Sequence, residues 1–111
     1  MAEDITRRVL KVETLLDYQT GSIVSRLLVK GSGGSVTVFA FDAGQELSEH
    51  TTPHDAMVKV VDGKAEITIA GETHHVAQCE SIIMPGNVPH AVKASERFKM
   101  VLTMIRSTPS K

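Results

Sequence analysis

From Ile23 onward the chain is cut into short runs of alternating or β-branched residues, each closed by a turn signal, and this punctuation is its strongest constraint on fold. IVSRLLVK (23–30) and SVTVFAF (35–41) are separated by Gly31-Ser32-Gly33-Gly34. MVKVV (57–61) runs into Asp62-Gly63, a dipeptide that favours a tight hairpin, and AEITIA (65–70) alternates cleanly after it. Gly71-Glu72 turns the chain into Thr73–Ala77, and Ser81–Met84, His90–Ala94 and Arg97–Ile105 complete the series. Pro85, Gly86, Asn87 and Pro89 punctuate the gap after Met84. About eight short strands at such spacing predict a mainly β protein, an antiparallel sandwich or barrel. No linker, repeat or low-complexity tract divides the run, so 23–107 is read as one barrel, 1–22 as an N-terminal segment and 108–111 as a C-terminal tail.

In the N-terminal segment Ile5, Val9, Val12 and Leu16 recur at helical spacing, and Asp4 stands where a cap would. The pattern predicts a short helix or turn that Tyr18–Ser22 ends. The last strand, 98–105, is apolar on both faces. One face can fill a barrel; the other needs a second sheet or a partner subunit, and a homodimer is expected.

Composition removes several functions. Among 111 residues, 12 Lys and Arg balance 13 Asp and Glu for a net charge of −1, without the basic excess that a nucleic-acid or anionic-membrane surface needs. Trp is absent, Tyr occurs once and Phe three times, so the stacking platform of a single-strand binder lacks its parts. No stretch approaches the ~20 apolar residues of a membrane helix, and the start of the chain lacks the apolar run of a secretory signal. A cytoplasmic protein with no nucleic-acid or membrane partner is expected. The single Cys79 permits neither an internal disulfide nor a Cys-rich zinc site, so any metal must be held by imidazole and carboxylate.

Five histidines supply the chemistry-bearing candidates. His50 and His54 precede the 57–61 run, His74 and His75 sit together in a predicted strand, and His90 opens another. In an extended chain positions 50, 52 and 54 share a face, so His50 and His54 converge unless Pro53 bends the chain. His74 and His75 point to opposite faces and cannot form one site by themselves. Cys79 beside Glu80 lacks the cationic surroundings of a reactive thiol and is read as inert. No Ser-His-Asp arrangement, phosphate-binding loop or dinucleotide fingerprint is present.

Laid out by position, these residues resemble the cupins, double-stranded β-helices of jelly-roll type. Gly44, His50, Pro53 and Gly63 fall at places of the first cupin motif, with Thr52 standing for its second His and Ala56 for its Glu. Pro85, Pro89 and His90 fall at places of the second, where Cys79 and Asn87 stand for glycines and Ala94 for an Asn. The likeness runs over roughly 35–105 and looks like that of small bacterial single-domain cupins. It implies a jelly-roll barrel with a short N-terminal helical segment, binding a small molecule in its mouth. In metal-dependent cupins three His and one Glu hold the ion. Here His50 and His90 keep ligand positions and His54 is the candidate third, for Zn, Ni, Fe, Mn or Cu. Thr52, Met84, Val92, Met100 and Met104 are the candidate pocket residues. The alternative is a metal-free ligand-binding or regulatory dimer without catalysis. Similar cupins include dioxygenases, isomerases and decarboxylases, so the likeness implies no single reaction.

Overall fold

Eight strands follow one another in chain order: β1 (Ile23–Gly31), β2 (Gly34–Phe41), β3 (Glu46–His50), β4 (Asp55–Ile69), β5 (Glu72–Ala77), β6 (Ser81–Met84), β7 (His90–Lys93) and β8 (Phe98–Ile105). The structure is a computed structural model that describes residues 4–107; the C-terminal tail assigned from sequence lies outside the described residues. All pairings are antiparallel. One face of the molecule is built in the order β1-β2-β8-β4-β6 and the other in the order β3-β7-β4-β5. The long β4 belongs to both, its first part pairing β8 and β6 and its second part β5 and β7.

That passage replaces the expected hairpin. At Asp62-Gly63 the chain does not reverse but turns a corner, with a register shift between Val60 and Asp62 against β8. Gly63 holds φ +74, and a Cβ there would stand 2.2 Å from the Arg97 carbonyl oxygen. The Asp-Gly pair thus serves a bulge that carries one strand from sheet to sheet, a use of the same left-handed conformation that a hairpin turn would need.

Between the sheets lies the core. Phe41 and Phe98 stack with ring centroids 4.5 Å apart, packed with Val58, Val60, Ile67 and Met100, all buried. A second apolar layer forms on the outer face of the β1-β2-β8 part, where Leu16 covers Val38 and Ala40 with help from Val12 and Tyr18. The N-terminal segment that supplies this cover is mostly not helical. Among its described residues only Val12–Thr14 form a 3-10 turn. Asp4 spends its carboxylate on the Thr6 amide and hydroxyl, Arg7 takes φ 63, and Val9 is left in solvent. The helical spacing of Ile5, Val9, Val12 and Leu16 is overridden by a left-handed residue within its first turn.

The segment is fastened by polar contacts as well. Tyr18 donates its hydroxyl to Asp62 Oδ2 at 2.5 Å, and its ring lies beneath Lys99 Nζ (4.8 Å to the centroid) and the Arg97 guanidinium (5.0 Å). Lys99, itself buried, donates to the Glu13 carbonyl at 2.7 Å, and Arg26 donates to that of Leu15. Burial, then the hydrogen bond to Asp62 and its charge, push the Tyr18 hydroxyl pKa well above its usual 10.0. Nearby, Asp42 accepts from the Gly21 amide and from Arg97 Nε, and these bonds hold its carboxyl below the ordinary value.

Candidate functional site

His50 and His90 come together because β3 and β7 pair. They are direct register partners, their ring centroids 4.3 Å apart in an edge-to-face arrangement. The pairing contains an irregularity: Leu47 opposes Val92, and the next partners are His50 and His90. Three steps along β3 match two along β7, so one extra residue is taken up between Leu47 and His50. In a regular strand, residues three apart face opposite sides. The bulge cancels that parity, and both Leu47 and His50 turn into the same cavity.

That cavity, about 50 Å³, lies between the sheets. Met84, Val92, Met100, Leu102 and Met104 form much of its wall, with Leu47 and Ala56, and Thr52, His50 and His90 supply its polar groups. His90 is buried, whereas His50 is exposed at the mouth. Each ring is fixed at one nitrogen. His50 Nδ1 donates to the Ser48 carbonyl at 2.8 Å and His90 Nδ1 to the Val88 carbonyl at 3.2 Å. A carbonyl oxygen only accepts, so Nδ1 carries the proton in both rings. In the neutral imidazoles each Nε2 is then left as an acceptor.

His54 is not among the residues lining this cavity. β3 ends at His50, and the chain bends at Pro53-His54 before β4 begins, so the two-residue alternation that would align 50, 52 and 54 is lost after Thr52. The Thr52 hydroxyl stands 3.3 Å from both the amide and the carbonyl of His54 and stabilises that bend. His54 Nδ1 instead accepts from the Ser107 amide at 3.2 Å, while the Ser107 hydroxyl donates to the Pro53 carbonyl. His54 thus ties the end of β8 to the turn before β4.

A metal ion at this site would find two imidazoles, a threonine hydroxyl and the methyl group of Ala56. Catalytic metal sites generally supply three protein ligands. Among the described residues no group of three or more His, Cys, Asp or Glu side chains is gathered closely enough to hold an ion. The residues present do not fit a resident metal held by the protein alone.

The five candidate pocket residues Thr52, Met84, Val92, Met100 and Met104 all line the cavity beside His50 and His90. Sequence reasoning missed Leu47 and Leu102. β3 reads ELSEH, with one apolar residue among four polar ones, and gives no strand alternation to place Leu47 by. β8 is apolar at nearly every position, so its inward set cannot be picked out before its register is known. His74 and His75 lie on β5 away from the pocket, 3.6 Å from Glu72 and 3.7 Å from Glu66 respectively.

The fold and site together define a small two-sheet barrel with an apolar pocket and a histidine pair at its mouth. The chain belongs to the cupin family, whose domain matches residues 37–106, and the architecture is the jelly-roll barrel expected of it. It is similar to a conserved protein of unknown function from Streptococcus pyogenes, at 39% identity and a TM-score of 0.87, covering 93% of this chain and 90% of that one. It is also similar to a cupin 2 conserved barrel domain protein from Leptotrichia buccalis, at 36% identity and a TM-score of 0.84, covering 87% of this chain and 47% of that one. A salicylate 1,2-dioxygenase from Pseudoaminobacter salicylatoxidans shares the fold alone, at 16% identity and a TM-score of 0.68 over 75% of this chain and 26% of that one. No curated protein matches the sequence. Among the described residues no helix is long and apolar enough to cross a membrane.

Proposed function

We propose that the protein binds a small molecule in the barrel mouth, without a resident metal, and that His50 and His90 orient it. The observation that carries this reading is the histidine pair itself: two rings in edge contact above an apolar cavity, each with Nδ1 tied to a backbone carbonyl. Fixed tautomers give the pocket two acceptors of set direction, and a few placed polar groups in an apolar wall are what orient a bound molecule. The cavity is far below the roughly 300–1,000 Å³ of drug-sized sites. It suits a ligand of few heavy atoms, or the apolar end of a longer one, with a hydroxyl or N–H facing the imidazoles. The three methionines lining it are unbranched and polarizable, and adapt to ligand shape with little strain.

A thermal-shift screen of small alcohols, phenols and amines on the intact chain tests the proposal. A true ligand at a hundred times its Kd stabilises the fold by about 2.7 kcal/mol. His90→Ala should abolish that shift, and Met100→Ala should weaken it. A shift that survives His50→Ala and His90→Ala unchanged would place binding elsewhere and overturn the reading. Elemental analysis of untagged protein decides against or for the metal-bound alternative with Zn, Ni, Fe, Mn or Cu. Near-stoichiometric metal that disappears in both His→Ala variants would replace the metal-free reading.

A further inference from the structure

In the wall of the barrel-mouth cavity the only polar side chains, among the described residues, are His50, Thr52 and His90. Thr52 has no donor left for a ligand. Its hydroxyl stands 3.3 Å from both the carbonyl and the amide of His54, donating its one proton to the first and accepting from the second. Both histidines spend Nδ1–H on the carbonyl two residues back, Ser48 for His50 and Val88 for His90. Neither Nε2 has a partner among the described residues. Yet no buried side-chain nitrogen or oxygen among them goes unpaired. The Nε2 of His90, on a ring that is otherwise buried, is therefore open to the cavity that the ring lines.

With both imidazoles neutral, the lining side chains present two acceptors, no donor and no charge. A carboxylate head brings only acceptors and a charge, and the wall gives it neither a donor nor a cation. A primary amine enters as ammonium, and no carboxylate lines the cavity to balance it. An amide has a pair of N–H groups but leaves its carbonyl without a donor. Hydroxyls fit. The two acceptors sit on rings with centroids 4.3 Å apart, at directly opposed positions of paired strands. Hydrogen bonds of about 2.8 Å from rings so close meet on neighbouring atoms, not at the two ends of a chain. The hydroxyl oxygens keep their own lone pairs within reach of water, because His50 is exposed at the mouth. Below them the methionines and leucines of the wall receive a carbon chain.

Resting on the metal-free binding reading above, we infer that the ligand is a neutral vicinal diol with a short apolar body. One hydroxyl donates to His50 Nε2 and its neighbour to His90 Nε2, and carboxylates are rejected.

Four five-carbon probes that differ only in their head groups test this on the intact chain. Their binding is followed by NMR of isotope-labelled histidine nitrogens at about pH 8.5, which keeps imidazoles neutral. 1,2-Pentanediol should move the Nε2 signals of both His50 and His90. It should bind about 10-fold tighter than 1-pentanol, whose single hydroxyl leaves one acceptor unmet. 1,5-Pentanediol should bind no better than 1-pentanol, and pentanoate more weakly than either. In His50→Ala the advantage of 1,2-pentanediol over 1-pentanol should fall below about 2-fold; an advantage that persists there overturns the pairing with His50. The wild-type comparisons hold whether or not that variant folds. Equal affinity for 1,2-pentanediol and either 1-pentanol or the 1,5-isomer overturns the vicinal diol and leaves the binding site standing. Pentanoate binding as tightly as the 1,2-diol overturns the rejection of carboxylates. If no probe moves either histidine the diol inference falls, and the binding reading falls with it only when the wider thermal-shift screen is blank as well.

Discussion

At the scale of single residues, the departures from the usual cupin motifs are conformational as well as chemical. Cys79 and Asn87 stand where that pattern carries glycine, and both hold the left-handed conformation, φ 72 and φ 65. Asn tolerates this region because its short amide bonds locally; Cys gains no such relief. The Cys79 amide is bound to the Val60 carbonyl at 2.8 Å, so the turn is held in place by its surroundings. Cys79→Gly removes Cβ strain of about 1–2 kcal/mol and gives back part of it through the greater freedom of glycine in the unfolded chain. The expected outcome is a gain of about 0.5–1 kcal/mol in urea unfolding, with no change in slope; a loss would mean the thiol packs usefully. Tyr18 supplies a second residue-level test. Its folded pKa lies above its unfolded 10.0, so its contribution to stability is complete below pH 10 and declines as pH rises beyond it. The chain has one Tyr and no Trp, and tyrosinate absorbance therefore reports this group alone. Folded protein should titrate well above denatured protein. Tyr18→Phe should lose roughly 1–3 kcal/mol at neutral pH, since Asp62 loses its donor.

At the scale of elements, the corner in β4 is where local chemistry and global topology meet. Gly63→Ala puts a methyl group against the Arg97 carbonyl and forces a side chain into φ +74. Backbone, not a flexible side chain, must give way, and the expected cost is on the order of 2 kcal/mol or more. Chemical denaturation of the variant checks it, and a change below about 0.5 kcal/mol would mean the corner relaxes freely. The same corner explains what sequence can and cannot say here. The run 57–61 was legible as a strand from its apolar, β-branched content and 65–70 from its alternation, and Asp62-Gly63 was legible as a turn signal. Whether such a position closes a hairpin or bends one strand between two sheets depends on what pairs with each half, and β8, which pairs with the first half, lies some thirty residues further along the chain. β3 was hidden for a different reason: among the described residues it is an edge strand paired with β7 alone, and its residues are mostly solvated. With β3 went the bulge that turns His50 inward. The apolar pocket positions on β6, β7 and β8 were legible from composition and motif placement, whereas the turning-away of His54 follows from the bend at Pro53 and its bond to Ser107.

At the scale of the whole molecule, two apolar surfaces must be covered, the barrel interior and the outer face of one sheet. The strands cover the first themselves. The second is covered in part by residues that form almost no regular structure, and their contribution follows from what they touch. Leu16 is buried against Val38 and Ala40. Tyr18 satisfies Asp62, and the Glu13 carbonyl receives the buried Lys99 ammonium. A chain beginning at Ser22 would return Leu16's site to water at about 1.5–3 kcal/mol. It would also strip the charged groups Asp62 and Lys99 of their partners at about 1.5–3 kcal/mol each. Even with imperfect additivity, a loss near 4 kcal/mol is a large part of the 5–15 kcal/mol that holds an ordinary domain together. For a domain of this size each kcal/mol moves the melting temperature by roughly 4–8 °C. The shortened chain should therefore melt more than about 15 °C below the full one, and it should bind a hydrophobic dye at the face over Val38 and Val101. A melting point within about 5 °C of the full chain would mean that the barrel closes this face without the segment, and that Leu16 and Tyr18 rest on the sheet without holding it.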